Sequence, residues 1–449
     1  MDLKTEKISK LLLKLSIPAI LGMLSSAIFN IVDRIYVGKI NSLALTAVGI
    51  TMPIQIIQMA FILLLGIGTS SLISIKLGED KKEEAEDILY LALKYIIIFL
   101  IAFAIIFLIF LAPILSSMAI SEDVMPYAKE YIVIIILGSI IGIPGYCLNN
   151  SLRSIGRADI SMKIVVITSV MNIILDPIFI FLFDMGIGGA AIATVISQTT
   201  LTVYVIYVFI KRSDFPIHLS RRKVQNEGHL LKTSLSMGLP SFYVQILAAC
   251  MNLFLNNSLL YYGNDLDVAA VTIMSSLNSF YHMVVVGIVQ ANNSICGYNW
   301  GARLYGRVKK SLELALFNSF ILSTLLFIVI MIFPQLLVTM FTDDPLLIQI
   351  TSKEIRLYLC MLPLLGPQTV SSQYFQVVGK SKLSSILGFF RYGVIIIPAV
   401  LIFAPRLGVT GVYLSNAISD GIAGVIAIVY IVIELIKLKS LATNNNCSY

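Results

Sequence analysis

The chain has 449 residues, of which 58% are hydrophobic and 13% charged, with a mean hydropathy of +0.91. A soluble domain carries about 45–50% apolar and about 25% charged residues, so a soluble enzyme, a disordered chain and a fibrous chain are all excluded. The net charge of +7 therefore points to the cytoplasmic loops of a membrane protein and not to nucleic acid.

A membrane helix needs about 20 apolar residues, and the chain length accommodates twelve such spans with their loops. The start, MDLKTEKISK, is basic and leads into an apolar stretch from Leu11 to Val37. That stretch is too long for a signal-peptide core and lacks a small-residue cleavage site, so it reads as a retained first span. Further spans follow near 44–75, 88–112, 126–150, 160–183, 188–210, 234–262, 268–298, 311–338, 347–377, 382–404 and 409–436, the first running over 12–37. Segments such as Tyr95–Ala112 are apolar all round, which fits helices and not the period-two alternation of a barrel. Prolines interrupt many spans, at 18, 53, 144, 177, 240, 363, 367 and 398. Neighbouring helices must then satisfy the freed backbone groups. Of the five cysteines, Cys147, Cys250, Cys296 and Cys360 sit in apolar segments and Cys447 near the end; none forms a CxxC pair, so neither a disulfide framework nor a metal site is expected.

Lysine and arginine sort by loop. With the first residue placed in the cytoplasm, the inner segments hold 24 of the 32, whereas the outer loops hold only Lys39 and Arg406. This alternation through twelve spans predicts that both termini are cytoplasmic. The longest inner loop, 211–233, falls at the midpoint and reads as a linker on the anionic inner leaflet, between a lobe at 1–210 and a lobe at 234–449.

The halves look like copies. Pro18 and Asn30 match Pro240 and Asn252; Gly78 matches Gly301; Gly156 matches Gly379; Pro177, Gly186 and Gly189 match Pro398, Gly408 and Gly411. The expected fold is thus an all-α polytopic membrane protein of two parallel six-helix lobes. Transporters of this build hold substrate near the repeat interface and expose it alternately.

Acidic residues inside spans are costly and default to functional candidates. Asn172 and Asp176 lie four apart and share a helix face. Asp176 and Thr194 flank the tight turn at Met185 by nine residues each, so both sit roughly 13 Å below the outer surface; Asp33 lies roughly 10 Å deep on the same scale. Two carboxylates, an amide and a hydroxyl are hard oxygen donors suited to an alkali cation, and two neighbouring carboxylates can also share a proton. A structural account stays open for two of them: Asp176 as an N-cap with Pro177 at the first helical position, and Asp33 as an interfacial charge beside Arg34. In the second half the equivalents are Leu255, Gly393, Ile397 and Asn416, so the acidic pair belongs to one half only. Pro177, beside Asp176, is the hinge candidate. His282, Gln373 and Asp420 are candidates for a substrate cavity; Asp420 is equally suited to bonding a neighbouring helix, and His282 to an ordinary core position. Nothing resembles HExxH, GxSxG, Walker A or a dinucleotide fingerprint, so an enzyme is not expected and energy must come from an ion gradient.

SIPAILGMLSSAIFNIVDRIYVG, LRSIGRADIS, NIILDPIFIFLFDMGIGGAAIAT and the second-half echoes GLPSF and GVTGVYLSNAISD resemble the multidrug and toxic compound extrusion (MATE) family, over essentially the whole chain and with a likeness to its bacterial multidrug-export branch. The resemblance implies a plasma-membrane protein of a bacterium, monomeric and in contact with membrane lipids. It would export cationic, amphipathic drugs by antiport with Na+ or H+ and use no other cofactor. Asp33, Asn172, Asp176 and Thr194 match the family's first-lobe cation pattern. Helix seven offers Asn252, Asn256 and Asn257, and helix ten Gln368, Gln373 and Gln376, where some members carry acids. The alternative from the same superfamily is a flippase for a lipid-linked oligosaccharide, which would be expected to place several arginines against a pyrophosphate; Arg34, Lys94, Arg356 and Arg391 are the few membrane cations here.

The charge asymmetry predicts that single cysteines placed near Asn41, Gly186 and Gly263, in a cysteine-free background, react with an impermeant maleimide added outside intact cells. Labelling only after permeabilisation would invert the topology.

Overall fold

The computed structural model describes residues 2–118, 120–220 and 224–446. Among these residues there is no strand. The helices are α1 (Ile8–Ile40), α2 (Ser42–Gly78), α3 (Lys82–Ile109), the short α4 (Leu111–Ser117), α5 (Met125–Gly142), α6 (Pro144–Ser154), α7 (Ala158–Pro177) and α8 (Gly186–Lys211). The second half holds α9 (Glu227–Tyr262), α10 (Asp265–Gly301), α11 (Tyr305–Ile332), the short α12 (Pro334–Val338), α13 (Pro345–Tyr358), α14 (Leu362–Val377), α15 (Ser381–Phe389), α16 (Ile396–Leu407) and α17 (Val409–Asn446). One π-helical turn follows α7 at Ile178–Leu182, and another joins α15 to α16 at Phe390–Val394.

Eleven helices among the described residues are long and apolar enough to cross a membrane. The remaining predicted span, 347–377, is built from α13 and α14, each too short alone. The predicted fourth span is likewise broken, into α5 and α6 at Ile143. On α3, Ile98, Ile101, Ile105 and Ile109 form a stripe that is 42–67% exposed, while Ile96, Leu100, Ala104 and Phe107 are buried. A stripe of isoleucines on open surface belongs in lipid, not water.

The internal repeat is visible in the helices themselves. α2 and α10 each have 37 residues, α3 and α11 each have 28. Gly156 and Gly379 both take positive φ, at 81° and 82°, as do Asp80 and Arg303, at 59° and 57°. The turns between corresponding helices are therefore built alike.

Contacts divide the chain into two compact units, one of Leu21–Gly238 and the other of Asp2–Ile20 with Leu239–Tyr449. The division falls inside α1 and α9, not in the linker. Local anchors explain this. Glu227, the first residue of α9, accepts from Lys94 and from Tyr95 of α3, both at 2.7 Å. The chain just before α1 is held by Arg307 of α11, which donates to the carbonyls of Leu3 (3.1 Å) and Glu6 (2.7 Å). The linker's first part folds back on the first unit. Phe215 and Ile217 are buried in its core, and Arg157 pairs with Asp214 at 3.0 Å. Arg221, Arg222 and Lys223 of the expected basic surface, and Cys447, lie outside the described residues.

A broken span exposes backbone groups, and in lipid each must find a partner. At the α5–α6 break Pro144 has no N–H to give. Thr202 of α8 repairs the site: its hydroxyl donates to the Gly142 carbonyl at 2.5 Å and accepts from the Gly145 N–H at 2.9 Å. Gly142 and Gly145 let α8 come this close, since a Cβ on either would overlap Gln198 or Thr202. In the second unit Asn416 of α17 donates to the Tyr358 carbonyl at the α13 end, at 3.4 Å.

Thr202→Val keeps the shape and strands two buried backbone groups. Each orphaned group costs about 1–3 kcal/mol, so the variant should melt well below the parent in detergent. Thr272→Val, which removes an exposed hydroxyl bonded to the Val268 carbonyl of its own helix, is the control and should barely change the melting temperature. Equal melting of the two variants would mean that the break needs no repair.

Candidate functional site

Three helices of the first unit carry the four cation candidates. α1 supplies Asp33, which is half-buried; α7 supplies Asn172 and Asp176, both buried; α8 supplies the half-buried Thr194. Asn172 and Asp176 lie one turn apart, because an i, i+4 pair occupies one helix face. The tight connection of α7 through its π turn to α8 brings Thr194 back alongside: the Asn172 Nδ2 donates to the Thr194 hydroxyl at 3.4 Å. Asn172 Oδ1 and both carboxylate oxygens of Asp176 are buried and accept no hydrogen bond among the described residues. The Asp33 and Asp176 carboxyls are close enough to act on each other electrostatically.

The helix-cap account of Asp176 does not survive this geometry. An N-cap carboxylate accepts from backbone N–H groups two or three residues ahead, whereas Asp176 lies inside α7 and its oxygens accept from none. Pro177 is the last residue of α7, and the π turn begins directly after it. Arg34, next to Asp33, turns its guanidinium toward the Met52 sulfur at 3.9 Å.

Tyr131 of α5 was not singled out by the sequence. It is buried, bonds to Gln55 of α2, and lies within electrostatic reach of both Asp33 and Asp176. Among 20 tyrosines it carries no spacing signal; only packing selects it. Glu354 of α13, also missed, is buried in the second unit beside Lys353 and Arg356, whose charges make the stretch read as a span edge.

The other three candidates lie in the second unit. His282 on α10 is exposed and Gln373 on α14 is half-buried. Asp420 on α17 is buried and ion-paired to Arg391, Nε to Oδ1 at 3.0 Å. Of its two sequence readings, the bond to a neighbouring helix is the one the structure shows. Gln368 and Gln376 are also engaged, with Arg391 and Ser241 respectively.

Three buried oxygens without donors among the described residues stand together with a second carboxylate in electrostatic reach. A buried carboxylate without a partner is costly, and either an alkali ion with hard-oxygen ligands or a proton would relieve it.

Two stretches, residues 18–178 and 240–402, match the MatE family model. The chain belongs to the MatE family. The family model matches twice, once in each half of the chain, ending before α8 in the first and before α17 in the second. The MatE protein is 25% identical to the multidrug export protein MepA of Staphylococcus aureus (strain N315) over 423 residues, which is 94% of this chain and 93% of MepA. Against MepA of Staphylococcus haemolyticus the identity is 25% over 421 residues. Among solved structures, a MATE crystal structure in the bent conformation superposes with a TM-score of 0.92 at 26% identity, covering 98% of both chains. An outward-facing multidrug-resistance MATE transporter gives 0.91 at 26%, covering 97% of both. A transporter of the wider superfamily from Pyrococcus furiosus, described by a binding pocket of reversed polarity, also gives 0.91 at 26%, over 97% of this chain and 98% of that one. The MatE chain is accordingly a multi-pass transporter with the twelve-helix fold, and not an enzyme.

Asp176→Asn should abolish ion-coupled export at unchanged membrane abundance. The change keeps size and removes the charge a cation must meet. Near-normal export by the variant, measured against expression by immunoblot, would return the residue to a structural role.

Proposed function

We propose that this MatE protein exports cationic, amphipathic small molecules across the bacterial cytoplasmic membrane by antiport with Na+ or H+, with the cation held by Asp33, Asn172, Asp176 and Thr194. The observation that carries the reading is the set of three unpartnered buried oxygens on Asn172 and Asp176. The similarity to multidrug exporters over 94% of the chain supports the substrate class. The 23 Phe, 20 Tyr and 16 Met provide adaptable apolar and cation–π surface for such cargo. Asp420, His282 and Gln373 are not needed for the ion step in this reading.

A ligand shifts a two-state equilibrium only as far as it binds one state better. The site must therefore change shape as the two units alternate their access. Pro177 and the π turn after it, directly beyond Asp176, are where α7 has the weakest hydrogen-bonded ladder, so the hinge is assigned there. The protein works as a monomer with both termini in the cytoplasm and lipid around its apolar stripes.

The flippase reading needs free arginines for a pyrophosphate. Of the four membrane cations, Arg391 is neutralised by Asp420 and Lys94 by Glu227 at 2.7 Å, which weighs against it.

Purified protein in proteoliposomes, loaded with ethidium as the probe cation, tests the function. An imposed Na+ gradient or an imposed H+ gradient, applied separately, should drive ethidium movement in one case at least, and Asp176→Asn should remove that response. No response to either gradient, together with rescue of a flippase-deficient strain, would replace the antiport reading by the flippase one.

A further inference from the structure

The second unit solves the problem of a buried carboxylate differently from the first. Asp420 and Arg391 are both buried, on helices brought together from positions 29 apart in the chain. Asp420 Oδ1 accepts from Arg391 Nε at 3.0 Å, and Oδ2 from Asn416 Nδ2 at 3.4 Å. The guanidinium also donates to Gln368 Oε1 at 3.5 Å and lies over the Tyr392 ring at 4.9 Å. Its own backbone carbonyl is fixed by the Ser419 hydroxyl at 2.7 Å. Tyr281, Tyr358, His282 and Cys360 are further titratable groups within electrostatic reach of this pair. Every oxygen of Asp420 is thus supplied, and the cation that supplies it cannot be lost, because a guanidinium stays protonated.

Two features argue that this is more than a structural staple. A buried ion pair adds little stability relative to an apolar pair of the same volume. It also stands in the π turn Phe390–Val394, and such turns occur often at functional sites. The comparison with the first unit is direct. There α7 and α8 carry Asn172, Asp176 and Thr194 with three oxygens unpartnered. Here the repeat-equivalent helices, α15–α16 and α17, carry a carboxylate with its cation built in, and Asn416 stands at the position of Thr194.

We propose that Arg391 is a tethered counter-cation for Asp420, so that the second unit is permanently loaded and the protein takes up external cation in the first unit alone. The inference rests on the cation reading of the first unit and deepens it: Arg391 sets how many ions are bound per chain. A chain with this arrangement binds one coupling ion, and Asp420 never exchanges a cation with solvent during the cycle.

The test counts cations on the full chain in detergent. Radioactive Na+ bound per chain is read by scintillation proximity, and protons bound per chain in Na+-free solution by difference titration. The parent should bind one cation, as Na+ or as H+. R391Q uncovers Asp420 and should raise the count from one to two. The R391Q/D420N double variant replaces both charges by hydrogen-bonding amides and should return it to one. An unchanged count in R391Q, monodisperse by size exclusion, overturns the proposal. Should R391Q alone fail to fold, the double variant decides: a count below the parent's means that Asp420 held an exchangeable ion, which also overturns it. The comparison of R391Q with the double variant is independent of which residue holds the first ion. Retention of that ion by Asp176→Asn would refute the assignment in the first unit without touching this one.

Discussion

The constraint on which the structure depends is the absence of water in the bilayer core. Each backbone or side-chain polar group placed there must find its partner inside the protein. The constraint explains why a break in a helix calls for a specific side chain from its neighbour. Thr202 bridges the two ends of the α5–α6 break, and Asn416 reaches the last carbonyl of α13. It also makes exceptions informative. Among the buried polar atoms that have no partner in the described residues, the two Asp176 carboxylate oxygens and the Asn172 amide oxygen stand out by lying one turn apart on a single helix face.

One scaffold, used twice, lets two electrostatic solutions be compared on the same helices. The halves agree in the lengths of α2 and α10 and of α3 and α11, and in the positive-φ residues of corresponding turns. They disagree in charge. The first unit keeps two carboxylates near one another with no cation bonded to Asp176, an arrangement that is unfavourable until a cation arrives. The second sets the Asp420 carboxylate against the Arg391 guanidinium. Packing symmetry and charge asymmetry are therefore separable properties: the repeat carries the scaffold, and a few substitutions on it decide where buried charge stands and what it meets.

The π turns connect these electrostatics to motion. Both interrupt helices that carry the relevant side chains, one directly after Asp176 and Pro177 and the other around Arg391. A π turn weakens the regular i to i−4 ladder locally, so a change in the charge next to it acts on a segment already less constrained than the helix around it. The ends of α1 and α9 are different in kind. Salt bridges and backbone bonds from Lys94, Tyr95 and Arg307 fasten their first turns, which is why the compact units divide inside those helices and not in the polar linker between them.

Much of this was legible in the chain alone. Span number, the repeat and the positive-inside pattern are local or periodic properties, read from runs of apolar residues and from loop charge. Even the cluster of Asn172, Asp176 and Thr194 could be inferred, because a fixed rise per residue and a tight turn determine depth without knowledge of packing. Other features required the tertiary structure, because helix rotation and contact are set by the whole bundle. Tyr131 was one tyrosine among many until α5 turned it toward Asp33 and Asp176. The cap role of Asp176 was excluded only by its place near the end of α7, where its oxygens accept from no backbone N–H among the described residues. Asp420 had two equal readings until α17 met the π turn and Arg391 closed on its carboxylate. Depth and periodicity belong to a single helix and are written in its own residues; which buried charge meets which is a property of neighbouring helices, and only their packing decides it.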